Sequence, residues 1–168
     1  MIDDAANLPL RQRPFDVFFI VAFSWFIVSS VISDAIPTLG IEMTEHSSNV
    51  LARWNWAYAH DTDPLFLDPP VWMRFVTGLS AFVYGPFYVV LVLALVKGWN
   101  RIQLPAVMYA TMIATITGVI VFGVEFFGEE QYRTPRPGKF VAFNLPYVLI
   151  PLLLLVRMRR ERPFARRF

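Results

Sequence analysis

An all-α, polytopic membrane protein is what this sequence predicts: a bundle of four transmembrane helices around an intramembrane pocket. Three observations lead there. Of the 168 residues 56% are hydrophobic and the mean hydropathy is +0.49, more apolar surface than one soluble domain of this length can bury. Four stretches, about 15–36, 72–96, 103–127 and 140–157, reach the roughly 20 mostly apolar residues that a membrane crossing requires. Basic residues gather on the connections of one side and acidic residues on those of the other.

The first stretch is too long and too aromatic for a signal-peptide core, and it lacks a small-residue cleavage pattern, since Asp34, Ala35 and Ile36 run into Pro37. It is expected to remain as a span. The connection 37–71 carries Trp54, Trp56, Tyr58, Leu65, Phe66, Leu67 and Trp72, an interfacial composition, and its Asp63-Pro64 and Pro69-Pro70 pairs restrict the backbone. It reads as a lid folded back over the bundle. Lys97, Gly98, Trp99, Asn100 and Arg101 form a short basic turn that makes the second and third spans antiparallel neighbours. The shorter connection 128–139 is acidic at Glu129 and Glu130, while the tail 157–168 holds Arg157, Arg159, Arg160, Arg162, Arg166 and Arg167. With Arg11 and Arg13 at the other terminus, the positive-inside rule places both termini in the cytoplasm, in a bacterial inner membrane or an endoplasmic reticulum alike. The tail reads as a topology determinant and an anchor to anionic lipid. Residues 1–168 form one domain, with no internal repeat.

Several function classes drop out. A net charge of +2 without aromatics interleaved among the basic residues does not track a phosphate backbone, so nucleic acid is not an expected partner. Without cysteine there is no disulfide, thiolate metal site or thiol nucleophile, and the only histidines, His46 and His60, lack metal-ligand spacing. Neither a metal nor another cofactor is expected. Four spans without an inverted repeat also offer little means of alternating access, which disfavours a transporter.

Polar side chains at membrane depth are costly unless they face protein or a wet cavity, so their spacing marks where a cavity lies. Thr77, Ser80, Tyr84 and Tyr88 recur every three or four residues in the second span, with Gly85-Pro86 placed to bend it. The third span offers Thr111, Thr115, Gly118, Phe122 and Glu125 on one face, and the fourth offers Phe140, Asn144, Tyr147 and Pro151. Ser30 and Asp34 complete the set from the first span. Turned inward, these stripes would enclose an amphipathic molecule. Hydroxyls on helix faces also have an ordinary role as contacts between helices, and Asp63 before Pro64 has one as a turn initiator. Asp34 and Glu125 differ, because an ionisable group near hydrocarbon tends to mark function; both are expected near the wet, non-cytoplasmic ends of their helices.

The chain resembles the EXPERA family, which contains the sigma-two receptor and the emopamil-binding protein, a sterol isomerase. The resemblance rests on Asp63-Pro64-Leu65, Pro69-Pro70-Val71-Trp72, the Lys97-Gly98 turn, Leu104-Pro105-Ala106-Val107-Met108-Tyr109 and, above all, Leu145-Pro146-Tyr147-Val148-Leu149-Ile150-Pro151. It runs from Asp34 to the basic tail and is strongest to the sigma-two receptor branch. It implies four helices around a cavity for sterols and cationic amphiphiles, with Asp34 pairing a ligand amine and Asp63 supporting it. It also implies pocket positions for Tyr147 and for Asn144, and likens Tyr84-Gly85-Pro86 to the isomerase's Trp-Gly-Pro. The departures bear on catalysis: the isomerase's helix-one histidine position reads Phe26, and its helix-two acid positions read Thr77 and Ser80.

The leading expectation is therefore a membrane protein that binds a sterol-like or cationic amphipathic lipid through Asp34, Asp63, Thr77, Ser80, Tyr84, Phe122, Glu125, Asn144 and Tyr147. The alternative is a sterol or polycyclic isoprenoid isomerase with Asp34 and Glu125 as proton donor and acceptor, since such a reaction protonates one carbon and deprotonates another. A third is a chaperone or trafficking factor for another membrane protein. Beyond the small molecule and the bilayer, the partners left open are a second copy of the chain, as a homodimer, and such a client.

Overall fold

The structure, a computed structural model, describes residues 7–165. Its long helices are α1 (Pro14–Thr38), α2 (Val50–Ala59) in the long connection, α3 (Val71–Lys97), α4 (Asn100–Phe127) and α5 (Pro137–Arg157). Among the described residues α1, α3, α4 and α5 are the four helices long and apolar enough to cross a membrane. Local chemistry sets their ends. Pro14 and Pro137 open α1 and α5, where a missing N–H costs nothing. Gly98 closes α3 in the left-handed conformation (φ 73°), so that its N–H and that of Trp99 both reach the Ala94 carbonyl. Asn49 caps α2 by accepting from the N–H groups of Leu51 and Ala52 at 2.9 and 3.3 Å.

α1 lies along α3 and α4 along α5, while α1 and α5 touch sparsely. Phe15, Phe75, Val119 and Phe127 are exposed on the outside of the bundle, as lipid-facing side chains are. Two apolar clusters fill the inside. One surrounds Phe23, Tyr88, Leu91, Tyr109 and Leu154, and the other, beneath the long connection, surrounds Leu65, Phe66, Met73, Val121 and Phe140.

Three spans widen into π-helical turns, at Ser30–Asp34, Ser80–Tyr84 and Ile116–Val121. In the first two a proline follows closely and cannot donate to the carbonyl four residues before it. The Ser33 carbonyl, four residues before Pro37, accepts the Asn55 side-chain amide of α2 at 2.9 Å. The Ser80 carbonyl accepts the Gly85 N–H five residues on and the Ser30 hydroxyl at 2.6 Å. Helices approach closely beside these turns. A Cβ on Gly85 would lie 3.3 Å from Val31, and one on Gly118 would lie 3.0 Å from Val148.

The third turn changes which face of α4 points inward. Thr111 and Thr115, expected on the cavity face, are exposed on the outside and donate to the Val107 and Thr111 carbonyls of their own helix, each at 2.9 Å. Straight 3.6-residue periodicity fails across a π turn, because the extra residue rotates the rest of the helix about its axis. The side chains that α4 presents to the cavity are Ile113, Ile116, Thr117 and Val121.

At the end holding both termini, Asp16 is fully buried between two arginines. It pairs with Arg13 and accepts from Arg157 Nε at 2.7 Å and Nη2 at 3.0 Å. Arg13 also donates to the Leu95 carbonyl at the close of α3 at 2.8 Å. The ring of Phe164 lies between the guanidinium groups of Arg13 and Arg157, 4.8 and 5.0 Å away. Arg157 of the tail is thus part of the bundle; Arg166 and Arg167 lie outside the described residues.

Candidate ligand-binding site

A cavity of about 490 Å³ lies between the two apolar clusters, walled by α1, α3, α4, α5 and the lid helix α2. Ligand sites are commonly this size, apolar, with few polar groups. Its wall includes Trp25 and Phe143, 64% and 56% exposed, so it reaches the lipid-facing surface between α1 and α5.

The polar wall is built around two carboxylates. Asp34 closes the first π turn and interacts with the Ser80 hydroxyl across the α1–α3 contact. Asp63 caps the turn Pro64–Leu67, where one carboxylate oxygen accepts the Phe66 N–H at 2.9 Å. Its other oxygen accepts the Tyr58 hydroxyl at 3.3 Å, and the Asn144 amide donates to that hydroxyl at 2.8 Å. A chain of hydrogen bonds therefore runs from α5 through the lid helix to Asp63. Burial and the neighbouring Asp63 push the Tyr58 hydroxyl well above its ordinary range, which keeps it a neutral donor. Burial likewise pushes the Asp63 carboxyl up, with partial relief from Glu125, the Phe66 N–H and Tyr58.

Of the expected ligand-binding residues, Asp34, Asp63, Thr77, Ser80, Tyr84, Asn144 and Tyr147 line the cavity. Their hydroxyls are not equally available. That of Thr77 is engaged with Thr38 at 2.9 Å and with the Met73 carbonyl at 3.1 Å, and Tyr147 donates to Ser29 at 2.8 Å while stacking on Phe26 at 4.4 Å. Tyr84 has a buried hydroxyl without a partner.

Phe122 and Glu125 are placed differently. Phe122 packs against Phe126 and Phe140 and does not form the cavity wall. Glu125 is 1% exposed rather than at a wet helix end, because the connections 62–67 and 128–136 close over it. It stands behind Asp63, beside the backbone N–H groups of Leu65 and Thr134. Glu125 therefore does not face a ligand in the cavity directly.

Sequence reasoning missed Asn55, Tyr58 and Thr117 as parts of the site. Asn55 and Tyr58 sit on a helix whose start is legible at Asn49, and their spacing of three places both on its inner face. Thr117 is reached only by counting through the π turn.

The four-helix membrane fold agrees with what the chain is similar to. The family model for EXPERA, the expanded EBP superfamily, matches residues 50–158. The sigma intracellular receptor 2 of Macaca fascicularis is 26% identical over 166 residues, covering 92% of this chain and 93% of that protein. The human sigma intracellular receptor 2 is 30% identical over 122 residues, covering 66% and 68%. With its four membrane-crossing helices and the family match over most of its length, the chain is an integral membrane protein of the EXPERA family.

Proposed function

We propose that this protein binds a sterol-like or cationic amphipathic lipid in the cavity inside its helix bundle, both termini facing the cytoplasm. The observation that carries the reading is the placement of Asp34 and Asp63 on the wall of a mostly aromatic and aliphatic cavity open towards lipid. An amine or hydroxyl head group would bond to Asp34, whose position Ser80 sets, and Asp63 would add to the negative field there. The apolar body would lie along Phe26, Tyr147 and Ile113 and extend towards the gap at Trp25 and Phe143. Entry would be lateral, from the bilayer.

Native mass spectrometry of protein purified in mild detergent tests this. A co-purifying sterol-like or polycyclic lipid, lost in Asp34→Asn, is the expected result. A protein that stays empty when such lipids are added back would count against it.

The isomerase alternative would need an acid and a base on the wall. Asp34 is there, but Glu125 stands behind Asp63, so the acid–base pair would be Asp34 and Asp63 with Glu125 as a proton reservoir. Product formation from a candidate sterol, abolished in Glu125→Gln, would favour that reading over simple binding.

A further inference from the structure

The tail after α5 does not trail away from the bundle. Met158 is fully buried and its carbonyl accepts the Gln103 side chain at 2.9 Å. Six residues on, Phe164 is also fully buried, its N–H donating to Asn100 Oδ1 at 3.0 Å and its carbonyl accepting the Leu8 N–H at 2.8 Å. Residues 159–163 are therefore a loop pinned at both ends across the face of the bundle that holds the termini.

Three exposed arginines, Arg159, Arg160 and Arg162, project from this loop. Arg11, Lys97 and Arg101, exposed on the segments that the loop is fastened to, add to the same end. None of these six has an ion-pair partner among the described residues, and the one exposed carboxylate within the loop is Glu161. The contrast is with Arg13 and Arg157, which Asp16 neutralises, and with Arg136 and Lys139 at the opposite end, which pair with Asp61 at 2.9 and 3.2 Å. Arg53, Arg74 and Arg133, away from this end, also lack an ion pair, but each donates to a backbone carbonyl. Most of the unpaired cations among the described residues are thus at the end that holds the termini, and Lys97 lies over the ring of Trp99 at 5.1 Å, as at a headgroup level.

We infer that the pinned loop 159–163 is a binding site for the phosphate groups of anionic phospholipids in the surrounding leaflet. The clasp on Phe164 holds the arginine loop closed in one arrangement, so less side-chain and backbone freedom is lost on binding than from a free tail. Arginine forks suit phosphate oxygens, and each cation near the surface strengthens attraction to anionic lipid by about fivefold.

The test is a lipid titration of the full-length protein in detergent, followed by native mass spectrometry, with phosphatidylglycerol against phosphatidylcholine of the same chain length. Wild type should retain phosphatidylglycerol at least about tenfold more strongly, and the triple variant Arg159→Gln, Arg160→Gln, Arg162→Gln should lose that preference. Phe164→Ala keeps every charge but opens the clasp, and should lower the preference severalfold. Should that variant not fold, Asn100→Ala, which removes the acceptor of the Phe164 N–H, gives the same reading. Equal retention of the two lipids by wild type, wild-type preference in the triple variant, or wild-type preference after the clasp is opened would each overturn the inference.

Discussion

The Asn144 amide donates to the Tyr58 hydroxyl at 2.8 Å, and this bond joins the last span to the lid helix directly beside Asp63. It makes the position of a cavity carboxylate depend on two residues 86 apart in the chain. Tyr58→Phe should therefore leave the fold intact and weaken amphiphile binding about five- to tenfold, the effect of one lost hydrogen bond. Equilibrium binding of a fluorescent cationic amphiphile measures it; an affinity equal to wild type would show that Asp63 is held without this chain.

Asn55 ties the lid to α1 at the carbonyl that Pro37 cannot engage. Removing the amide in Asn55→Ala should cost about 1 kcal/mol of stability and raise hydrogen exchange within 50–59 while leaving the amides of α4 unchanged. A uniform rise across the bundle would mean that the lid is not a separately opening unit.

Burial raises the Asp63 carboxyl above its unfolded value. The stability linked to this group is complete below the ordinary carboxylate range, near pH 4, and is lost as pH rises through the raised value. Wild type should thus lose thermal stability as pH rises above about 4, and Asp63→Asn should lose less, although Glu125, Asp34 and Tyr58 still face the site. Parallel slopes of Tm against pH for the two proteins would contradict the assignment.

Asp16→Asn leaves the guanidinium groups of Arg13 and Arg157 without their shared counter-charge at the closed end of the bundle. A loss of about 3 kcal/mol is expected, the scale for breaking a buried ion pair from one side. Detergent-solubilised thermal unfolding reads it, and an unchanged Tm would show that Phe164 and the backbone carbonyls alone hold the termini.

Much of the fold is legible in the sequence because bilayer thickness sets span length and prolines or glycines mark the ends. Pro14, Gly98 and Pro137 lie at the helix boundaries that their chemistry suggests. The cavity side of α3 can be read the same way, since its π turn falls beside the visible Gly85-Pro86. On α4 no proline announces the turn at 116–121, so regular periodicity puts Thr111 and Thr115 inside and passes over Thr117. Glu125 is hidden for another reason. Its burial is made by two connections from distant parts of the chain, joined where the Thr134 hydroxyl donates to the Thr62 carbonyl at 2.6 Å, a contact that no local pattern encodes. The acidic pair that it forms with Asp63 is likewise a tertiary event.

The most direct measurement is the affinity of purified protein for a cationic amphiphile in wild type and in Asp34→Asn. Loss of a charge-assisted hydrogen bond inside the cavity should weaken binding at least about thirtyfold with Tm preserved. Equal affinity in a folded Asp34→Asn protein would contradict the placement of the head group at Asp34, and with it the proposed use of the cavity.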